Sequence, residues 1–254
     1  MQTLASQSFT SDKFHINPAK PMEVSYKYVS FFFVGILIFV LIGFHQTYTT
    51  KFPTFEGLTT AHHFHGAMLM AWFGILIVQP LLIRYNKREW HRQLGQVSYV
   101  LVPMILFSIF WVSKTQYLRT LPQMPHNVVI GGLALSIPDI LAFGLFYALA
   151  MVYRHNSALH MRFMIGTSIL MIGPGLGRAL IIYGGIPFPI AVEATVYLTE
   201  VLAAVLLFFD YRKGKSRMPY GVILITLIAM HLCFHFQMAG WWQSFGGWFA
   251  AVFY

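Results

Sequence analysis

Three histidines fall within four residues, His62, His63 and His65, and another two, His231 and His235, stand one helical turn apart near the far end of the chain. A neutral imidazole offers one lone pair and one N–H, so it can ligate a metal, accept a proton or donate a hydrogen bond. On a helix, His62 and His65 at i and i+3 share a face, as do His231 and His235 at i and i+4. Asp139, Arg178, Glu193 and Glu200 lie between these pairs, each inside an apolar segment. Two further histidines stand at the opposite ends of such segments. One is in Trp90-His91-Arg92-Gln93-Leu94-Gly95, the other in His160-Met161-Arg162. Two chemistries fit these types and spacings. The imidazoles could hold a haem or a metal ion, or the whole set could be a hydrogen-bonded polar core. His45, His63 and His126 read as interfacial residues bonded to water, and Met68 and Met70 as packing.

The elements that must position these groups are written in hydropathy. The chain is 57% hydrophobic and 10% charged over 254 residues, against about 25% charge in a soluble domain. The fold class is therefore all-α, a polytopic membrane helical bundle with the lipid bilayer as solvent. Seven apolar runs reach the length of about 20 residues that a span needs. Their expected extents are 28–48, 62–84, 95–117, 130–153, 160–184, 188–210 and 218–238. Runs this long and continuous are helices, because lipid leaves every backbone polar group to find an internal partner. Pro80, Pro103 and Pro138 are kink candidates. Gly173-Pro174-Gly175-Leu176-Gly177 should distort the fifth helix just before Arg178 and let neighbours approach closely. The expected domains are a polar cytoplasmic segment, 1–27, a single membrane domain, 28–240, and an aromatic interfacial tail, 241–254. The first apolar run reads as an uncleaved anchor.

The net charge of +9 points to nucleic acid only until the basic residues are placed. Lys13, Lys20, Lys27, Arg84, Lys87, Arg88, Arg92, Arg154, Arg162, Arg212, Lys213, Lys215 and Arg217 fall on one side of the expected membrane. Lys51, Lys114 and Arg119 fall on the other. This asymmetry gives a cytoplasmic N-terminus and an external C-terminus and leaves no nucleic-acid face. Cys233 is the single cysteine, which excludes an internal disulfide and a cysteine-based metal cluster.

With orientation set, depth follows from a rise of about 1.5 Å per residue. His62, His65, His231, His235, Asp139, Arg178, Glu193 and Glu200 all belong to the outer half. Glu200 lies two turns deeper than Glu193, on the same helix face. His91 and His160 belong to the inner face. Arg178 is expected to pair with Glu193, Glu200 or an acidic group of a cofactor, and Arg92 and Arg162 to anchor helix ends in an anionic leaflet.

Three resemblances follow from these residues. The pattern His65-Gly66, Gln79-Pro80, Arg84, His91-Arg92-x-Leu94-Gly95, Tyr99, then His160-x-Arg162-x-Met164 and Arg178, resembles a bacterial family of multi-pass membrane proteins with a His-Arg-x-Leu-Gly loop. It covers about residues 62–180 and implies a bacterial cytoplasmic membrane and a fold, but no activity. The histidines at both membrane faces resemble, more loosely, diheme b-type cytochromes of the ascorbate-oxidising kind. That resemblance implies haem b, with an outer ligand pair of His62 or His65 with His231 or His235, and an inner pair of His91 with His160. This chain differs from those cytochromes in helix count. Seven helices with His-x-x-x-His on the last are similar to the alkaline ceramidase and adiponectin receptor superfamily. That implies zinc held by His62 or His65 with His231 and His235, and water activated by Asp139 or Glu200.

The leading expectation is a haem- or metal-binding oxidoreductase, b-type cytochrome-like, with a His-rich site near the external leaflet, that moves electrons between a quinol or another redox partner and an external acceptor. The alternatives are a zinc-dependent membrane hydrolase, and a proton- or ion-coupled transporter with Asp139, Arg178 and Glu200 as its relay.

Overall fold

The computed structural model describes residues 26–254, so the segment read as cytoplasmic lies almost wholly outside the described residues. Among the described residues nine α-helices follow in order: α1 (Tyr26–His45), α2 (Thr60–Arg84), α3 (Arg88–Thr120), α4 (His126–Val152), α5 (Ser157–Ile169), α6 (Ile172–Gly184), α7 (Phe188–Arg212), α8 (Met218–His235) and α9 (Gly240–Phe253). Seven segments are long and apolar enough to cross a membrane, and α5 with α6 makes up one of them. The protein is an all-α polytopic membrane bundle. By the loop charges, the end that carries His62 is the outer one.

Hydropathy marks where a helix meets lipid rather than where it ends. Helix α3 therefore starts at Arg88, a full turn and more before the apolar run at 95, with Glu89 in its first turn. There the acidic side chain meets the positive end of the helix dipole. Pro80, Pro103 and Pro138 stay inside α2, α3 and α4. Pro174 acts differently. It sits in the first turn of α6, after a turn at Leu170–Met171. With no N–H, its backbone cannot bond to the Leu170 carbonyl, and its ring crowds that carbonyl. A proline in a first turn removes a donor that would be orphaned anyway. The sequence thus ends α5 and restarts α6 at one point in mid-span.

The break matters because the two halves pack differently. Helix α5 lies against α4 and α8, whereas α6 lies between α1 and α7. The 157–184 span is the most enclosed of the seven, 50% buried against 22–44% for the rest. In lipid, helices associate through close packing and hydrogen bonds rather than through the hydrophobic effect. The α1–α6 crossing shows this: a Cβ on Gly43 would land 1.9 Å from the Gly175 carbonyl oxygen, and one on Gly175 would lie 2.7 Å from Val40 Cα. Gly173 and Gly177 face Thr195 of α7. Small residues at the break let α6 sit flush against both neighbours.

The core is aromatic. Trp72, Phe146 and Phe163 have no exposed surface, and the Trp72 ring meets Phe143 and Tyr147 edge-on. Trp72 Nε1 donates to Thr167 Oγ1 at 3.3 Å, tying α2 to α5 just below the break. A Cβ on Gly166 would touch both Ile223 and Phe146, so α4, α5 and α8 meet at one level. These contacts close the middle of the bundle.

The aromatic tail is helix α9, 14 residues long and too short to span. It packs on α4. Trp242 is buried and donates to the Ile130 carbonyl, while Trp241 and Trp248 stay exposed. Its last residue, Tyr254, donates to Ser113 Oγ at 2.7 Å, and Ser113 bonds Ser136 of α4 at 2.6 Å.

Candidate functional site

At the outer end, the three clustered histidines play three different parts. His62 caps a helix: its Nδ1 accepts from the Thr59 backbone N–H at 3.1 Å while the Thr59 side chain accepts from the His62 N–H. This is a capping box with histidine in the place of Glu or Gln. His63 meets the Tyr48 hydroxyl at 2.6 Å and the ring of Phe55, in the loop before α2. His65 points into the bundle. Its Nδ1 lies 2.9 Å from Ser108 Oγ, which spends its own proton on the Ile105 carbonyl. His65 Nδ1 must therefore carry a proton, which leaves the lone pair on Nε2. Arg178 and His62 are the charges close enough to act on this ring.

His231 is held at both nitrogens. Nδ1 meets Glu200 Oε1 at 2.9 Å and Nε2 meets Glu193 Oε2 at 2.8 Å. Glu193 and Glu200 are two turns apart on one face of α7, so one ring on α8 bridges them. Tyr197, the residue between them on that face, packs edge-on against the ring at 4.8 Å. His235 stands outside this clamp, 60% exposed and 3.7 Å from Glu193. Arg178 does not join the carboxylates. Its guanidinium lies 4.3 Å from the Phe44 ring centre and donates to the Pro174 carbonyl. The expected pairing of Arg178 with Glu193 or Glu200 is thus replaced by a cation–π contact on α1. Asp139 faces the interior, on the stripe that continues through buried Phe143 and Phe146. Its carboxylate makes no hydrogen bond or ion pair with another described residue.

The outer groups therefore divide into separate sets. Among the described residues, no three or more His, Cys, Asp or Glu side chains are placed to hold a metal ion. The set His62 or His65 with His231 and His235 is not brought together. His231 has both nitrogens engaged, and His62 has its Nδ1 in the cap.

The inner end holds a different arrangement. His160, at the start of α5, donates Nδ1–H to the Ala150 carbonyl at 2.8 Å. His91, at the start of α3, directs Nδ1 to the Gln79 carbonyl at 3.4 Å. A carbonyl only accepts, so both rings carry the proton on Nδ1 and the lone pair on Nε2. The rings are electrostatic neighbours. Their placement follows from helix register. Ser98 Oγ and the Tyr147 hydroxyl bond at 2.8 Å and fix α3 against α4. His91 is two turns inward of Ser98 on the same face, about 10 Å, and Ala150 is one turn inward of Tyr147. Gln79 binds back to the His91 carbonyl through Nε2 at 3.1 Å. Its Oε1 is buried without a hydrogen-bond partner among the described residues.

Arg162, expected to anchor a helix end in the leaflet, is instead 3% exposed. It makes a two-point ion pair with Asp210 of α7, Nε to Oδ2 at 2.5 Å and Nη2 to Oδ1 at 2.9 Å. Asp210 was not among the residues singled out from sequence; it is the last residue of the expected run 188–210. Ser108 and Tyr197 were missed as well, and Gln79 entered only as part of the Gln79-Pro80 pattern. A serine in a helix gives no signal of its own, but Thr59-x-x-His62 does carry the spacing of a cap.

Comparisons of the chain with protein-family models, with curated proteins and with solved structures give no match.

Proposed function

We propose that this integral membrane protein binds one haem b at its inner end, where His91 and His160 would hold it, and carries electrons. The supporting observation is the shared tautomer. A ligating histidine commonly donates its other ring N–H to a carbonyl or carboxylate, which orients the ring and raises its basicity. His91 and His160 both do so, on different helices at the inner end and near enough for the charge of His160 to act on His91. Bound there, the haem would supply a one-electron redox centre.

The chain's own residues account for the rest of the site. Ala150 and Gln79 hold the two rings through backbone carbonyls. The Gln79 side chain clamps the first turn of α3 and leaves a buried acceptor, Oε1, for a donor on the bound group or a redox partner. Arg88 and Arg92 flank His91 on exposed positions and give the rim the positive charge that acidic substituents need. The Arg162–Asp210 pair, two residues from His160, fixes α5 against α7.

The test is a reduced-minus-oxidised visible spectrum of protein purified in mild detergent from haem-supplemented cells. The expected result is a sharp b-type spectrum at one haem per chain. It disappears in His91→Ala and in His160→Ala and persists in His231→Ala. A colourless wild type, or a spectrum unchanged by His91→Ala, refutes the assignment.

A further inference from the structure

A cleft at the inner end follows from the mid-span break and has no part in the haem reading. In the outer half α6 fills the space between α1 and α7. Below the break α5 packs on α4 and α8 instead. The inner half of the gap between α1 and α7 therefore has α5 at its back and no helix within it. A cavity of about 350 Å³ opens there, inside the range of about 300–1,000 Å³ that small-molecule sites occupy.

The walls are arranged by polarity. Val29 and Phe32 of α1, Ile165 of α5 and Leu206 of α7 give an apolar lining. Tyr28 and Phe209 also line the cleft, and both lie in spans. They are 59% and 52% exposed, so the opening is toward the bilayer. The Arg162–Asp210 pair closes the back and is neutral as a unit. Lys213 and Lys215 stand at the rim, where α7 gives way to the loop before α8. That turn is built: Gly214 takes the left-handed conformation at φ 62°, and the Lys215 N–H bonds back to the Asp210 carbonyl at 2.9 Å. Glycine reaches this conformation without the steric penalty a side chain brings.

The charge at the rim is one-sided. The described lining holds three cations, Arg162, Lys213 and Lys215, against one carboxylate, Asp210. Arg212 and Arg217 flank it on exposed positions. Glu89 is the other described carboxylate at the inner end, and it begins α3, which supplies no wall. A phospholipid presents its parts in the same order, an anionic phosphate at the rim and acyl carbons beneath it. Acidic lipids are the lipids of the cytoplasmic leaflet, and basic pockets between spanning helices on that side take their headgroups. A zwitterionic headgroup brings its own cation, which these lysines repel.

We infer that the cleft between α1 and α7 binds one acidic phospholipid of the inner leaflet, its phosphate at Lys213 and Lys215 and an acyl chain along Val29, Phe32, Ile165 and Leu206. Lysines that served only to orient the helices would hold acidic lipid no better here than Lys87 or Arg154 do elsewhere on the same face.

The experiment is native mass spectrometry of the full chain in mild detergent, titrated with phosphatidylglycerol or with phosphatidylcholine of the same acyl chains. Wild type should retain one phosphatidylglycerol per chain in preference to phosphatidylcholine. Lys213→Gln/Lys215→Gln should weaken that binding by about 25-fold, at roughly fivefold per lysine. Lys87→Gln/Arg154→Gln removes the same charge from the same face outside the cleft and should leave it unchanged. Phosphatidylglycerol with a diazirine in its acyl chain gives a reading on wild type alone, and should label Val29, Phe32, Ile165 or Leu206. Equal retention of the two lipids, equal loss in both double variants, or label confined to other helices overturns the inference. Carbodiimide coupling of Lys213 or Lys215 to Asp12 or Glu23 in lipid-loaded protein would put the chain's own N-terminal segment at the rim and overturn it as well.

Discussion

Asp210→Asn is the substitution with the largest expected effect on the fold. Asp210 and Arg162 are 48 residues apart in sequence, and their side chains are 9% and 4% exposed. The carboxylate takes two charge-assisted bonds in the side-on geometry that suits a guanidinium. Asparagine keeps the size but supplies one acceptor and one N–H group, so one guanidinium N–H meets a donor. The buried Arg162 guanidinium then loses the Asp210 carboxylate as a charged partner. Removing one partner of such a pair costs about 3–5 kcal/mol, or roughly two to three and a half orders of magnitude in the unfolding constant. The pair also links α5 to α7 just past His160, so His160 should lose its fixed position. Unfolding of purified protein by titrated denaturing detergent, followed by tryptophan fluorescence, measures the first effect. The proposed haem spectrum reports the second. Replacing both partners, Arg162→Met with Asp210→Leu, should recover stability to within about 1 kcal/mol, because two apolar side chains carry no desolvation cost. An Asp210→Asn loss under about 1 kcal/mol, or a double variant no better than the single, would show that the pair is not what holds α5.

The remaining expectations concern other parts of the bundle. Gly43→Ala should destabilise by about 1–3 kcal/mol through overpacking, because its new carbon would land on the Gly175 carbonyl. Gly35→Ala on the same helix, with nothing within 4 Å of the added carbon, should be neutral or gain up to about 1 kcal/mol from helix propensity; thermal unfolding of the two variants side by side checks this. Thr59→Ala removes the cap shared with His62 and should cost about 1 kcal/mol, read in the same melts. Burial holds the Tyr254 phenol above the usual tyrosine range, partly offset by its bond to Ser113. The folded state therefore keeps its proton longer than the unfolded state does. The stabilisation is complete below the unfolded value of about 10 and fades as pH rises beyond it. Docking of α9, followed through the fluorescence of Trp241, Trp242 and Trp248, should loosen in that range, and Tyr254→Phe should remove the step.

What could be read from the chain followed the range of the physics. A distortion just before Arg178 was visible because Gly173-Pro174 acts on its own backbone; the structure goes further and breaks the helix at Leu170–Met171, before that stretch. Helix ends were less visible. The first turns of α3 are polar, and a helix outlasts its apolar stretch wherever its hydrogen bonds can continue. Glu193 and Glu200 were placed on one face from spacing alone, and His231 was marked as a polar group of the same half. That the one ring joins both could not be read. Arg178 shows the reverse case: spacing allowed it a carboxylate, and an aromatic ring on α1 took it.

Sequence by itself determined the class, the seven spans and the presence of a distortion in the fifth. These depend on hydropathy and on backbone chemistry within a few residues. Tertiary structure alone decided the partners: His231 with two carboxylates, His65 with Ser108, Arg162 with Asp210, His91 and His160 with carbonyls of α2 and α4. The reason is geometric. Hydropathy sets how deep a residue lies, but a helix that is apolar all round records almost nothing of its own rotation or of its neighbours. The rotation is set only when close contacts such as Gly43 on Gly175 and Trp72 on Thr167 lock one arrangement of the whole bundle.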